Sequence, residues 1–459
     1  MDILVSVLGA LLCYALSGAR SAAYLFYFLS FVPFLSLSAT EGGLTAASGL
    51  AGDNVQFKLA VRALCTAGFL LLLLRRRAAW AALWRSASMP VIVLVLWAAM
   101  WIGRSQAPWV SLFRLTELAS FFLVGVVLFA ESARFHPLHR VLRWHCMALL
   151  SLPLLALWFA VTRPDLSMHA DGGEITRWGH KLLNANSLGF ACTIVILWGT
   201  SELKGAWARR EADWRTRVAP ALAIATCVGV LLMARSRTAL STQLIGQTIL
   251  WWPRGSFSWA HVRIGIAGLV VLAVAMWQQD LIGEYMLRGE PMESLTSATG
   301  RTDLWHGLLV DQVPKAPLAG AGYLMLSEEG GFWHAGRVWT NAHNTYLFSL
   351  VSAGLVGLCC VLLIVSRAWL RSARAARLAQ GDDVHGTSLL LALQTVLLVT
   401  SITGFGVFGF PNPAMLFFYS LYTLVLHPGG PVPIAPTAAI ASAPLRPALP
   451  RRPQPATIL

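Results

Sequence analysis

The hydrophobic residues of this chain form long runs that are separated by mostly short polar connections. Most runs approach the roughly 20 apolar residues that one membrane-crossing helix requires. They lie at about residues 2–17, 22–39, 57–74, 89–103, 110–130, 144–162, 182–200, 218–234, 238–252, 264–278, 346–366, 388–403 and 411–427. The pattern predicts an all-α polytopic membrane protein with about 12 transmembrane helices, because the two runs before residue 40 could be two spans or one kinked element.

Composition narrows the class further. Hydrophobic residues make up 56% of the 459 residues and charged residues only 12%, whereas typical soluble domains are about 25% charged. This excludes a soluble enzyme, a disulfide-stapled secreted domain and a disordered protein. The seven cysteines lie in or beside apolar runs, so neither structural zinc nor disulfides are expected. The start of the chain lacks a basic n-region, so we expect the first apolar segment to remain in the mature protein.

The net charge of +14 is concentrated in alternate connections. Arginine clusters such as 75–77, 140–143 and 367–377 mark the cytoplasmic face by the positive-inside rule. Alternation then places 163–181, 235–237 and 279–345 on the outer face. Thirteen runs would put the N-terminus outside and twelve spans would put it inside, which the sequence leaves open. No basic patch outside the spans is interleaved with aromatics, so no nucleic-acid partner is expected.

Four regions follow from this pattern. Residues 1–278 are predicted to form a transmembrane helix bundle, and 279–345 a large periplasmic loop with short helices. The aromatic and apolar content of that loop indicates a small ordered cap on the membrane. Residues 346–427 supply the C-terminal transmembrane helices, and the Pro-rich segment 428–459 is predicted to be a disordered cytoplasmic tail.

Polar residues on the outer face are the candidates for chemistry. Arg235-Ser236-Arg237 places two arginines in one turn, where a guanidinium fork suits phosphate oxygens; the alternative is that both extend to lipid headgroups. Arg301 is a second candidate phosphate ligand, or else a partner of Asp303 or Glu293. His343 could act as a general base, since histidine titrates near pH 6.5, or be an ordinary loop residue.

Two further features complete the candidates. Arg177 could add another cation at the same face, and Asn184 and Asn186 could cap or bend the helix that follows. Arg114 and Glu117 are spaced to neutralise each other within one span. No outer loop has a D-x-D pair or metal-ligand spacing, so we expect no metal site and no cofactor, with arginines supplying the positive charge.

Several short motifs occur in a fixed order between residues 177 and 357. They are Arg177 followed by Asn184-Ala185-Asn186, then Ser236-Arg237, Gly300 to Trp305 (G-R-x-x-x-W), Pro317 to Gly322 (P-L-x-G-x-G), His343 to Leu347 (H-N-x-x-L) and Gly354 to Gly357. In this order and on this face, they resemble the motifs of the bacterial O-antigen ligases, within the O-antigen ligase/polymerase superfamily. Ala185 departs from that pattern, because family members often have proline there.

The resemblance implies a GT-C-like fold in the bacterial inner membrane, with a multi-pass chain and a site that faces the periplasm. It implies transfer of O-antigen from undecaprenyl pyrophosphate to a sugar hydroxyl of lipid A–core. The membrane lipids surround both substrates. His343 would be the catalytic base, Arg235, Arg237, Arg301 and Arg177 would bind the pyrophosphate, and Ser236 and Asn344 would support them.

Three alternatives remain open at this point. A Wzy-type O-antigen polymerase would use the same donor and another lipid-linked repeat as acceptor. A protein-glycosylating ligase would use a serine or threonine. A transporter of lipid-linked glycans would break no bond, but the chain shows no internal repeat and few ionisable residues in mid-span.

Overall fold

The structure is a computed structural model that covers most of the predicted helices. It describes residues 2–34, 53–84, 88–105, 108–132, 136–162, 164, 168–170, 176–178, 185–209, 213–252, 301–323, 332–334, 337–339, 342–381, 383–404, 406–409 and 412–426. The apolar run at 264–278, much of the 279–345 loop and the tail at 428–459 lie outside the described residues, so the predicted cap and tail stay predictions.

Helices form nearly all of the regular structure. They are α1 Asp2–Ser17, α2 Ala22–Leu29, α3 Asp53–Arg75, α4 Arg77–Leu83, α5 Met89–Met100, α6 Pro108–Ser132, α7 Leu138–Thr162, α8 Ala185–Ala208, α9 Arg215–Ala234, α10 Arg237–Trp251, α11 Arg301–Gly307, α12 Thr345–Leu378, α13 Asp383–Thr403 and α14 Pro413–Leu426. An apolar run in lipid must satisfy its own backbone hydrogen bonds, which a helix does within one segment. The two runs before residue 40 form two separate helices, and Ser21 caps the second by accepting from the Ala23 N–H.

Five of the described helices are long and apolar enough to cross a membrane. They are Ser111–Glu131, Leu138–Thr162, Thr216–Ala234, Thr345–Leu378 and Asp383–Thr403. Helices such as α5 and α14 are apolar but shorter than the roughly 20 residues of a full span. The chain is thus a helical membrane protein, as predicted, while the number of about 12 spans stays a prediction.

Two short hairpins stand in the connections that were predicted to face outward. Met168–Ala170 (β1) pairs antiparallel with Thr176–Trp178 (β2), and Phe332–His334 (β3) pairs antiparallel with Arg337–Trp339 (β4). The sequence did not predict these hairpins, because strands of three residues are too short to show an alternating pattern.

The described helices pack around α8, which contacts α7, α9, α10, α13 and α14. At one end of the bundle, Lys204 near the end of α8 donates to the carbonyl of Leu250 at 2.9 Å. There the start of α13 also approaches the start of α7, since a Cβ on Gly386 would lie 3.4 Å from the His139 nitrogen. The 21 residues of α13 therefore place its other end about 30 Å away.

A backbone interlock joins the P-L-x-G-x-G segment to α12. Gly354 interrupts α12 with φ 67°, and any Cβ there would collide with the backbone of Leu318. Across this break, the Leu355 N–H donates to the Pro317 carbonyl at 2.8 Å, and the Ala321 N–H donates to the Val351 carbonyl at 2.8 Å. Only glycine has both the permitted φ and the space that this approach needs.

Replacing Gly354 with alanine should therefore destabilise the fold. We expect a loss of roughly 2–4 kcal/mol from left-handed strain and backbone overlap, measured as a lower thermal unfolding midpoint in detergent. The matched control is Gly229→Ala, because Gly229 lies inside α9 and a Cβ there would meet no other atom within 4 Å. Equal midpoints for the two variants would contradict the interlock.

Candidate active site

The turn between α9 and α10 holds the first pair of candidate arginines. Arg235 ends α9 in the left-handed conformation, with φ 47°, and its N–H donates to the Leu232 carbonyl at 3.2 Å. Ser236 is the N-cap of α10, and its hydroxyl accepts from the Ala239 N–H at 3.4 Å. Arg237 is therefore the first residue of a helix whose N-terminal dipole adds positive potential at this point.

Ser236 also ties this turn to α8. Its hydroxyl donates to Asn186 Oδ1 at 2.9 Å, in the first turn of α8. A Cβ on Gly189, one turn further along α8, would lie 2.9 Å from the Ser236 Cβ. These contacts fix the turn that carries Arg237 against the start of α8, while the supporting role of Ser236 stays a prediction.

Arg301 begins α11 and reaches the far end of α13. Its Nη1 donates to the Thr403 carbonyl at 3.1 Å, at a helix C-terminus where a cation is favoured. The alternative partner Asp303 is exposed on α11, and Glu293 lies outside the described residues. Trp305, four residues on, donates from Nε1 to the Ala342 carbonyl at 2.8 Å and so links α11 to the residue before His343.

His343 occupies a strained position between Ala342 and the N-cap of α12. Its φ is 49°, a conformation that few residues other than glycine, asparagine, aspartate and histidine adopt. Asn344 caps α12, because its Oδ1 accepts from the N–H groups of Tyr346 at 2.9 Å and Leu347 at 3.0 Å. The backbone of His343 therefore leads directly into a capped helix start, and the supporting role of Asn344 stays a prediction.

A pair of long-range hydrogen bonds lies directly after the cap. The Thr345 hydroxyl donates to the Gly404 carbonyl at 3.1 Å and accepts from the Gly406 N–H at 2.9 Å. It therefore holds the loop after α13 against the start of α12. The Thr403 carbonyl, next to this loop, accepts the hydrogen bond from Arg301. Thr345 therefore links the segment that binds Arg301 to the segment that carries His343.

These contacts bring Arg237, Arg301 and His343 within electrostatic reach of one another. Burial lowers the pKa of Arg301, and the positive charge of Arg237 lowers it further. Burial and the charge of Arg301 lower the pKa of His343 to about 4. At neutral pH the imidazole is therefore uncharged and able to accept a proton, beside two guanidinium groups that suit an anion.

The other predicted residues are less closely connected. Arg235 precedes Arg237 by two residues in the same turn and is half-buried. Arg177 lies on β2, opposite His169, and β2 contacts α9; its side chain and all of Asn184 lie outside the described residues. Their roles stay predictions. Within the described ranges, no three His, Cys, Asp or Glu side chains are grouped as a metal site would require.

An ion-pair network that the sequence predicted only in part lies on α6. Glu117 accepts from Arg114 at 2.8 Å, as the spacing predicted, and it also pairs with Arg62 of α3. The Arg62 contact joins residues that are far apart in the sequence, so no local pattern could have indicated it. Thr345 was within a quoted motif, but its link to Gly404 is long-range in the same way.

Thr345→Val should disturb the site without adding bulk. Valine has nearly the same shape, so the main loss is one buried donor and one acceptor, and we expect a cost of roughly 1–3 kcal/mol. The thermal unfolding midpoint in detergent measures it. Thr248→Val is the matched control, because that exposed hydroxyl donates to the Leu244 carbonyl of its own helix. An equal shift in both variants would contradict a stabilising role for the Thr345 hydrogen bonds.

Comparison with known protein families identifies one segment of the chain. Residues 221–362 match the family model described as O-antigen ligase, and this segment contains Arg235, Arg237, Arg301 and His343 but not Arg177. None of the curated proteins matches the chain. The segment 221–362, which carries the clustered arginines and the histidine, is therefore an O-antigen ligase family domain.

Proposed function

We propose that this protein transfers O-antigen polysaccharide from undecaprenyl pyrophosphate to a sugar hydroxyl of lipid A–core. The observation that carries the proposal is the gathering of Arg237, Arg301 and a neutral His343 at one end of a helical membrane bundle. The match of residues 221–362 to the O-antigen ligase family model supports the same chemistry. The site would face the periplasm of the bacterial inner membrane, since the arginine-rich connections lie at the opposite end.

His343 would act as the general base. The acceptor hydroxyl oxygen attacks the anomeric carbon, and its proton passes to the imidazole. In the absence of substrate, the lowered pKa of His343 keeps its imidazole uncharged. When the pyrophosphate binds, its negative charge offsets Arg301, which raises the affinity of the imidazole for the proton that it must accept.

Arg237 and Arg301 would stabilise the departing pyrophosphate. The bond between the anomeric carbon and the phosphate oxygen breaks, and the electron pair moves to undecaprenyl pyrophosphate. Fixed guanidinium groups and the N-terminus of α10 act on charge as it develops. Attack from the side opposite the leaving group inverts the anomeric carbon. Because both substrates carry lipid tails, a site at the membrane face also orients them.

The first test is reconstitution. Purified protein should join the glycan to lipid A–core when mixed with the lipid-linked donor, the acceptor and EDTA, because the proposed residues supply the positive charge. Longer lipid-linked chains in place of this product would identify a polymerase. Neither product from folded protein, together with flux of the intact donor across liposomes, would identify a transporter.

Transfer rates of substituted proteins should distinguish the effect of losing the base from the effect of changing nearby residues. His343→Asn keeps a residue that tolerates positive φ but removes the basic nitrogen, and we expect transfer to fall by about 10²–10⁴-fold. The control is His306→Asn, because His306 is exposed on α11 beside the site. Arg237→Met should lower the rate more than Arg237→Lys, which keeps the charge. Wild-type transfer by folded His343→Asn protein would remove His343 from the mechanism.

The pH profile provides an independent test. The pKa of His343 is lowered to about 4, so kcat/KM should hold as the pH falls through 6.5 and decline only near pH 4, where the free base becomes protonated. Arg301→Gln removes one cause of the lowered pKa, and the decline in its residual activity should therefore move to higher pH. An unchanged profile in that variant would show that Arg301 does not act on His343.

A further inference from the structure

A cavity of about 830 Å³ lies at the end of the bundle that carries the arginine-rich connections. The turn between α1 and α2, the end of α3 and the start of α7 enclose it. This end is about 30 Å from Thr403 and the proposed transfer site, by the length of α13. The proposed reaction uses none of the residues that line the cavity. The sequence indicated Arg76, Arg140 and Arg143 only as markers of orientation, and it did not single out Arg20.

The lining of the cavity is strongly basic. It contains Arg20, Arg76, Arg140 and Arg143 with a single glutamate, Glu131. Arg76 pairs with Glu131 at 2.9 Å, and Arg143 acts electrostatically on Glu202 of α8. Within the part of the chain that the structure describes, Arg20 and Arg140 have no acidic partner, so two guanidinium groups face the cavity with uncompensated charge.

Small polar groups line the same space. Ser21 donates to Glu131 Oε2 at 3.4 Å, which helps to hold the one carboxylate in place. His136 packs edge-on against Trp144 with ring centroids 4.8 Å apart, and its Nδ1 is buried without a hydrogen-bond partner. A bound oxygen atom would satisfy that nitrogen. The cavity therefore has hydrogen-bonding capacity as well as positive charge.

An apolar face leads away from the cavity along α1. Leu16 lines the cavity and is 57% exposed, and Leu12 and Leu8 follow at intervals of four residues with 56% and 53% exposure. Residues four apart lie on one side of a helix, so the three form one continuous strip. A ligand with an anionic head and hydrocarbon chains would match both surfaces.

We propose that this cavity binds the phosphate headgroup of an anionic membrane phospholipid, with an acyl chain along the Leu8–Leu12–Leu16 strip. Arg20 and Arg140 would contact the phosphate oxygens, and His136 would hydrogen-bond to the headgroup. Basic pockets between helices at the cytoplasmic side of a membrane are suited to such headgroups. The strip favours a lipid over free phosphate, because a soluble anion would leave it unused.

Native mass spectrometry of the full chain can test this with dioleoyl phosphatidylglycerol, dioleoyl phosphatidylcholine and inorganic phosphate as probes. We expect retention of phosphatidylglycerol over phosphatidylcholine. The variant Arg20→Ala with Arg140→Ala should bind phosphatidylglycerol roughly tenfold or more weakly, at about 1 kcal/mol for each arginine. The control pair Arg374→Ala with Arg377→Ala removes exposed arginines at the same end of the bundle and should retain the lipid.

Three results would overturn the proposal. One is equal retention by both double variants whose thermal unfolding midpoints match the wild type. Another is equal retention of the two phospholipids. The third is displacement of phosphatidylglycerol by millimolar inorganic phosphate, which would indicate a site for a soluble anion. Arg20→Lys with Arg140→Lys serves as a folding control, because it keeps the charges and should keep most of the binding. None of these outcomes depends on the transfer reaction.

Discussion

The structure of the site depends on holding two guanidinium groups near each other although their charges repel, beside an imidazole that stays uncharged at neutral pH. Burial and the charge of a neighbouring arginine both disfavour the protonated forms of Arg301 and His343, and they lower the pKa of each. Backbone oxygen atoms offset part of the cost, because the Thr403 carbonyl at the end of α13 accepts from Arg301. The negative charge of the proposed pyrophosphate substrate would offset the remainder.

Rigid backbone contacts keep that arrangement in place. The interlock at Gly354 fixes the P-L-x-G-x-G segment on α12, and the Asn344 cap fixes where α12 begins. Trp305 and Thr345 then connect α11 and the loop after α13 to the same point. Each link joins segments that are distant in the sequence. The family motifs therefore correspond to the places where backbone meets backbone around the site, as well as to the charged side chains.

Local patterns in the sequence predicted much of this structure. Hydrophobic runs gave the helices, the i, i+3 spacing gave the Arg114–Glu117 pair, and the arginine-rich connections marked one end of the bundle. The contact of Arg62 with Glu117 and that of Arg301 with Thr403 could not be predicted, because tertiary packing alone sets them. The two hairpins were missed because three-residue strands carry too little pattern.

The arginines of the basic cavity and those of the proposed transfer site differ in their exposure and in the end of the bundle at which they lie. Arg20 and Arg140 are exposed at the basic end, where the positive-inside rule already favours arginine. Arg237 and Arg301 lie half-buried at the opposite end, where the same rule does not favour arginine. In the orientation proposed above, the positive-inside rule therefore does not account for these two arginines. The proposed reaction would account for two half-buried guanidinium groups beside a neutral histidine, because negative charge would develop at the same place.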